Sequence, residues 1–445
     1  MKDTVIAFLN FIKMRKNKII SNPYLLFSPF LIAFLIYVFI RPTDGNGGDE
    51  VRYLLYAKNL INGFYSPPGW NGWLINGPGY PIVLMPFVAL KLPFLSMTII
   101  NAFFYYFSII LLFKALNKTV SLGVAILFSF AWASYMIAYQ NIPFIHTETF
   151  TYLLITLLIY SIVMAYDKSI RGLRNKYVII SGVILGYIVL TKMIFGYVLL
   201  VMLLGSLIIW ILNRNNLNHR KSLFITILAL ITTAPYLIYT YNLTGKIFYW
   251  GSGSDSLYWM TSLSNEEYGD WTGALNRNTM DAANYNILGA DSVLAANHQD
   301  DFNKINNSIG IERDDVYKSL ALRNIKTHPL KYAQNIIYNM GRLVFHYPFS
   351  QALQKPRTLL ILPINGILLT LMLFSLIPTI LNWHIIPIPL KFLLMLTFFY
   401  LGASTLVTAL VRMFTIVVPI LLFWIAYILQ HTMKINLKFK ENKSD

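Results

Sequence analysis

The residues best placed for chemistry are two adjacent carboxylates, Asp49 and Glu50, which follow the first long apolar run. They open an amphipathic segment, after which a turn rich in Pro, Gly and Trp leads back to apolar sequence. A structural alternative exists, because a helix N-terminus stabilises carboxylates by about 0.3–1 kcal/mol. Their place at the mouth of an apolar bundle favours catalysis. We predict that Thr43–Tyr80, the first outer loop, is the catalytic loop of a membrane enzyme.

A second ionisable pair, His146 and Glu148, stands immediately before another apolar run. An ionisable residue that faces a cavity at the start of a membrane span is a functional candidate. Glu148 could instead be a carboxylate that favours a helix start, and His146 an interfacial residue. We predict that both line a substrate site.

Two lone basic residues, Lys192 and Arg412, are bounded by apolar sequence on the predicted outer side. Each could simply snorkel to the membrane interface. Both nevertheless stand against the usual excess of Lys and Arg in cytoplasmic loops. A bound phosphate would explain this placement, so we predict that they hold one.

Several other kinds of site are missing from the sequence. It contains no cysteine, no G-x-x-x-x-G-K-[ST] phosphate loop, no H-E-x-x-H and no G-x-S-x-G. Its 7 histidines have no spacing typical of a metal site. Disulfides, thiolate metal sites and Cys nucleophiles are therefore excluded.

Composition identifies the kind of chain that must position these residues. Of the 445 residues 56% are hydrophobic and 12% charged, and the mean hydropathy is +0.55, which indicates a polytopic membrane protein. The net charge of +17 comes from short basic clusters between apolar runs. This pattern is typical of cytoplasmic membrane loops and not of nucleic-acid binding.

Uncharged apolar runs of roughly 17–22 residues predict an all-α bundle of about ten transmembrane helices. The predicted spans are Tyr24–Ile40, Ser96–Phe113, Thr119–Ala138, Thr149–Tyr166, Tyr177–Leu190, Ile194–Leu212, Ser222–Tyr241, Leu359–Leu381, Leu390–Leu410 and Phe414–Leu429. The Pro-broken run Tyr80–Leu92 is predicted to be re-entrant or interfacial.

We divide the chain into three parts: an N-terminal transmembrane module (1–242) that carries the catalytic loop (43–80), an insertion (243–357), and C-terminal helices with a tail (358–445). Basic residues in alternate loops predict that both termini are cytoplasmic and that the first outer loop and the insertion are extracytoplasmic. The abundance of Asn, Ile and Lys favours a bacterial plasma (inner) membrane. In the outer loop, Trp70 and Trp73 suit the headgroup layer.

The insertion is predicted to be mostly helical. Asp314 and Asp315 open one helix, which ends at Thr327, and the His328-Pro329 break starts another that reaches about Phe345. We expect the apolar positions of these helices to pack against the bundle: Val316, Leu320, Ile325, Leu330, Ile336 and Ile337.

The run DEVRYLLYAKNLINGFY (Asp49–Tyr65) resembles the first outer loop of GT-C glycosyltransferases. It is most similar to the branch of protein O-mannosyltransferases and lipid A aminoarabinose transferases. The Pro-rich return of that family's loop resembles Gly77-Pro78-Gly79-Tyr80-Pro81. Three weaker similarities follow in the family's order: Thr147-Glu148, Leu190-Thr191-Lys192 with Lys in place of Arg, and Arg412-Met413-Phe414-Thr415 with Pro419, with Met in place of Tyr.

The resemblance implies a GT-C fold and an inverting transferase on the extracytoplasmic face. Such an enzyme moves a sugar from a polyprenyl-phosphate donor to a hydroxyl of a protein, lipid or glycan acceptor. It implies catalytic roles for Asp49, as general base, and Glu50. The implied substrate-binding residues are Arg52, Tyr53, His146, Glu148, Lys192 and Arg412. Members differ in metal use, so no cofactor is certain and a divalent metal is possible.

The alternative is a transporter or flippase for a lipid-linked glycan, with Asp49, Glu148 and Arg412 as gating or binding charges. Transporters often show internal repeats with broken helices in both halves. The sequence shows no such pairing, and a large insertion on one side suits an enzyme that binds an acceptor. A non-catalytic scaffold with the same fold is a third possibility.

Overall fold

The computed structural model describes residues 22–66, 74–214, 216–251, 253–270, 292–350 and 356–434, and within these ranges its regular structure is helical. Trp70, Trp73 and the basic residues of the first 21 positions lie outside the described residues. Their predicted membrane placement stays a prediction.

The N-terminal module consists of helices that run from one apolar segment to the next. They are α1 (Pro23–Leu26), α2 (Ser28–Ile40), α3 (Asp49–Ile61), α4 (Gly79–Ala89), α5 (Phe94–Asn117), α6 (Leu122–Ala133), α7 (Met136–Tyr139), α8 (Thr147–Tyr166), a 3-10 helix (Lys168–Leu173), α9 (Arg174–Thr191), α10 (Ile194–Leu212) and α11 (Leu217–Thr244).

The insertion and the C-terminal part continue the series. They contain α12 (Gly253–Met260), α13 (Ser292–Asn306), α14 (Gly310–Thr327), α15 (Pro329–Phe345), α16 (Pro356–Leu381), α17 (Ile388–Leu406), α18 (Val411–Phe414) and α19 (Val418–His431).

Among the described residues, 6 helices are long and apolar enough to cross a membrane: α5, α8, α10, α11, α16 and α17. Shorter apolar helices accompany them, namely α2, α4, α6 and α19. The prediction of a multi-pass, all-helical membrane protein is thus confirmed. The predicted span at Tyr177–Leu190 belongs to α9, which carries Arg174 and Lys176 in its first turn and is not among the 6.

Predicted span Thr119–Ala138 is shorter than expected, because α6 covers Leu122–Ala133 and the chain continues as the separate short helix α7. The last two predicted spans also differ from the helices found. Predicted span Leu390–Leu410 ends as helix α17 at Leu406, and the last span begins at Val418. Between them Arg412 stands on the separate one-turn helix α18. At this helix end the side-chain amide of Asn339, from the insertion, donates to carbonyls that include Ser404 O and Val407 O.

The insertion contains the predicted helix pair, with two corrections. The first helix begins at Gly310, before Asp314, whereas Pro329 does start the second helix. The prediction that Leu330 and Ile337 pack against the bundle is wrong, because these side chains are 84% and 67% exposed. The face of α15 that packs against the protein is polar. The prediction failed because sequence periodicity shows that a helix has an apolar face but not what that face contacts.

The packing of the bundle core brings several helix ends close together at one end of the bundle. Helices α5, α8, α9 and α11 pack in that order, each on the next, while α3 packs on α4, and α4 on α9. Buried aromatic side chains fill this core, with the Tyr105 hydroxyl donating to the Trp132 carbonyl at 2.7 Å. The start of α3, the start of α8, the end of α9 and α18 meet at one end of the bundle.

Candidate active site

Asp49 is the first residue of α3, directly after Gly48, whose φ of +32° is unfavourable for residues with a Cβ. Its carboxylate forms ion pairs with Arg52, one turn later, and with Arg412, whose Nη2 lies 2.7 Å from Oδ2. Burial alone would raise the pKa of Asp49, but the guanidiniums of Arg412 and Arg52 outweigh it and hold this pKa well below 3.8. Asp49 is therefore ionised.

Glu148 occupies the first turn of α8 and is 1% exposed. Lys192 Nζ lies 2.8 Å from its Oε1, and Arg412 Nε lies 3.8 Å from the same oxygen. Within the described part of the chain Oε2 has no hydrogen-bond partner. Buried carboxylate oxygens are normally satisfied, so this atom is a candidate acceptor for a substrate hydroxyl.

These ion pairs join into one row of alternating charge. In order, it consists of Arg52, Asp49, Arg412, Glu148 and Lys192. The row contains 3 cations and 2 carboxylates, so it carries an excess positive charge. A site of this composition can bind an anion such as a phosphate, which charge-assisted hydrogen bonds from Arg and Lys favour.

The backbone around Arg412 is fixed by two hydroxyl groups, one from α17 and one from Thr415, which directly follows α18. Tyr400 of α17 donates from its hydroxyl to the Met413 carbonyl at 3.0 Å, and its ring stacks on Phe195 with centroids 4.3 Å apart. Thr415 donates to the Arg412 carbonyl at 2.6 Å. The short helix α18 thus holds Arg412 through tertiary contacts, because a single turn has little stability of its own.

Lys192 is positioned by close backbone contact with the first outer loop. A Cβ at Gly77 would lie 2.1 Å from the Leu190 carbonyl oxygen, and one at Gly79 would lie 2.4 Å from Thr191 Oγ1. The glycines of the returning loop therefore allow it to press against the end of α9. This contact joins two of the motifs that the sequence shows separately.

Glu50, predicted to be catalytic, is 2% exposed and has both oxygens in hydrogen bonds. It accepts from the Thr43 hydroxyl at 3.0 Å, from the Gly47 N–H at 3.2 Å and from the Ile145 N–H at 2.7 Å. The last bond ties the first outer loop to the loop that precedes Glu148. These contacts indicate that Glu50 positions the two loops and is not itself placed to contact a substrate.

The other predicted residues surround the row. Asn76 accepts from Arg52 Nε at 3.0 Å and donates to the Tyr53 hydroxyl at 3.1 Å. His146 is half-buried beside Glu148, and burial lowers its pKa, so the imidazole is neutral at pH 7. Sequence reasoning missed Asn76 and Tyr400. Only the position of Asn76 directly before Gly77-Pro78-Gly79 hinted at a role.

Among the described residues, no group of 3 or more histidine, aspartate or glutamate side chains is arranged to hold a metal ion. Both carboxylates of the charge row contact cations of the protein instead.

No protein-family model and no curated protein matches this sequence. The solved oligosaccharyltransferase of Archaeoglobus fulgidus, tethered to an acceptor peptide with the NVT sequon, is similar at a TM-score of 0.50 and 14% identity. That match covers 92% of this chain and 49% of the archaeal chain. ArnT from Cupriavidus metallidurans, bound to undecaprenyl phosphate, gives a TM-score of 0.41 at 13% identity, over 92% of this chain and 77% of its own.

This chain therefore spans about half the length of the archaeal enzyme, at 49% coverage. The likeness extends over almost the whole of the present chain and shows a fold similar to that of the GT-C glycosyltransferases. It confirms the resemblance in fold that the first outer loop suggests.

Proposed function

We propose that this protein is a membrane glycosyltransferase that transfers a sugar from a polyprenyl-phosphate donor to an acceptor hydroxyl, with inversion, on the extracytoplasmic face. The observation that carries the proposal is the contact between Asp49 and Arg412 at 2.7 Å inside a row of excess positive charge. One carboxylate for a proton and adjacent cations for a phosphate are the groups that this reaction requires.

The chemical class of the donor is inferred from the proposed outward orientation of the site and from its cationic side chains. Nucleotide sugars are cytoplasmic, so an enzyme whose site faces outward requires a lipid-linked sugar. Arg412 and Lys192 are the proposed phosphate ligands, and in the structure each contacts a carboxylate. A donor phosphate would compete with those carboxylates for the two cations.

The proposed chemistry is a single displacement. The acceptor oxygen attacks the anomeric carbon, the bond from that carbon to the phosphate oxygen breaks, and the bonding electron pair leaves on the phosphate. Asp49 accepts the proton of the hydroxyl. A phosphate leaving group is stable as an anion and needs no general acid, unlike the alkoxide released by a glycosidase.

Arg412 would couple donor binding to base strength. When the phosphate draws the guanidinium away from Asp49, a charge that lowers the pKa of this carboxyl is lost, and the carboxylate becomes a stronger base. Asp49 would thus become an effective base when the donor is bound. In the same scheme Glu148 Oε2 accepts a hydroxyl of the donor sugar, and Glu50 positions the loop.

The test compares wild type, Asp49→Asn and Asp44→Asn with a panel of polyprenyl-phosphate sugars and acceptor-containing membrane extract, in detergent. Asp44 is an exposed carboxylate of the same loop and accepts hydrogen bonds from Asn46, so it is the matched control. Release of polyprenyl phosphate should fall by at least about 100-fold in Asp49→Asn alone.

Equal release by wild type and Asp49→Asn would contradict the role of Asp49 as base. Transfer in detergent, where no gradient exists, would exclude the transporter alternative. The donor that is consumed would identify the sugar.

A further inference from the structure

Helix α15 of the insertion buries polar side chains and exposes apolar ones, which is the reverse of the pattern in a helix of a water-soluble domain. Its buried side chains include Lys331, Asn335, Asn339 and Arg342, at a spacing that follows one helix face. Its exposed side chains include Leu330, Ile337 and Met340, which are 84%, 67% and 52% exposed. An apolar face of this size normally contacts something other than water.

The buried polar face is hydrogen-bonded to the rest of the protein by several side chains. Asn335 donates to the Met260 and Ser262 carbonyls at 3.1 Å, and Arg342 donates to the Tyr268 carbonyl at 2.7 Å. Asn339 binds the segment that leads to Arg412, where it accepts from the Ala409 N–H at 3.0 Å. Since these bonds fix the rotation of α15, its apolar face cannot turn inward.

The depth of the C-terminal end of α15 is given by its contact with the membrane span α16. The Asn365 side chain donates to the Val344 carbonyl near the end of α15. Asn365 lies well inside that span, which begins at Arg357, by roughly 12 Å along the helix axis. Around that level Leu359, Leu360 and Ile367 of α16 are exposed on the outer surface of the bundle.

We infer that α15 lies in the outer leaflet of the membrane, with Leu330, Ile337 and Met340 against lipid acyl chains. The apolar face continues the lipid-facing surface of α16, and this continuity identifies lipid, and not a second protein, as its partner. Through Asn339 the same helix fixes the height of the Arg412 segment relative to the bilayer. The inference holds whether or not the chain transfers a sugar.

The absence of native cysteines allows a direct test in the full-length protein. A nitroxide is attached to Ile337→Cys or Met340→Cys in liposomes, and its collision rates with oxygen, which partitions into lipid, and with a water-soluble nickel chelate are measured. Ile367→Cys on α16 is the lipid-facing control, and Ser319→Cys, at an exposed polar position of α14, is the water-facing control.

We expect Ile337 and Met340 to favour oxygen over the nickel chelate as strongly as Ile367 does, with Ser319 showing the reverse preference. Labels at Ile337 and Met340 that behave like the Ser319 label would overturn the inference. So would an immobilised label that neither collider reaches, because a protein surface, such as a second copy, would then cover the helix.

Discussion

Nη2 of Arg412 lies 2.7 Å from Oδ2 of Asp49, although the two residues stand near opposite ends of the chain. The proposed general base and the proposed phosphate ligand are thus partners of each other. An ion pair this close holds the carboxylate ionised and keeps the guanidinium in place. The contact links the first outer loop to the one-turn helix α18. Any change to one member of the pair should alter the other.

The pH dependence of activity should report this ion pair. Because the pKa of Asp49 is lowered from 3.8, the carboxylate remains able to accept a proton at all pH values above that depressed pKa. For wild type, kcat/KM for the donor should show no acidic limb from Asp49 between pH 5 and 8, since kcat/KM reports the free enzyme. In Arg412→Gln the residual activity should be low. Its acidic limb should move to higher pH, because the cation that stabilises the ionised carboxylate of Asp49 is lost.

Arg41→Gln, at an exposed arginine that follows α2, serves as the control and should leave the profile unchanged. An acidic limb at the same pH in Arg412→Gln and wild type would show that Arg412 does not set the pKa of the base.

Replacement of Glu50 should reduce stability before it affects chemistry. Glu50→Ala leaves the buried N–H of Ile145 without its acceptor, which costs about 1–3 kcal/mol, and the Thr43 and Gly47 donors lose theirs too. Glu50→Gln keeps one carbonyl oxygen and should lose less. Thermal unfolding in detergent, compared with Asp49→Asn, provides the measurement.

The two substitutions should therefore have different effects. Asp49→Asn should abolish turnover at temperatures where the variant is still folded, because the base is lost, although it also gives up two ion pairs. Glu50→Ala should lower the unfolding temperature, because buried N–H groups lose their acceptor. Normal stability with complete loss of turnover in Glu50→Ala would instead assign Glu50 to the chemistry.

Added volume at Gly79 should disturb the phosphate side of the site. In Gly79→Ala the new Cβ would lie 2.4 Å from Thr191 Oγ1 and 2.8 Å from the Thr191 nitrogen, so the end of α9 must shift. Such overpacking costs about 1–3 kcal/mol. Because Lys192 follows directly, the donor KM should rise together with the loss of stability.

Gly205→Ala, in the middle of α10, is the matched control, since a Cβ there meets nothing within 4 Å. It should leave the donor KM unchanged and raise stability by up to about 1 kcal/mol, because Ala favours a helix. Equal effects of the two substitutions would contradict a specific role for the Gly79 contact.

The sequence by itself determined the elements whose causes are local. Runs of apolar residues specify helices that cross a membrane, and Pro329 starts a helix wherever its neighbours allow one. The position of Asp49 and Glu148 at the first turns of helices was also predictable, since carboxylates favour those turns.

Only the tertiary structure decided which charges meet and which faces are buried. The ion pairs of Arg412 with Asp49 and Glu148 depend on how distant helices pack, and no local pattern encodes that packing. Glu50 and Asp49 are neighbours with the same chemistry, yet one satisfies backbone groups while the other faces two arginines. Likewise the periodicity of α15 predicts an apolar face, but its buried hydrogen bonds orient that face outward.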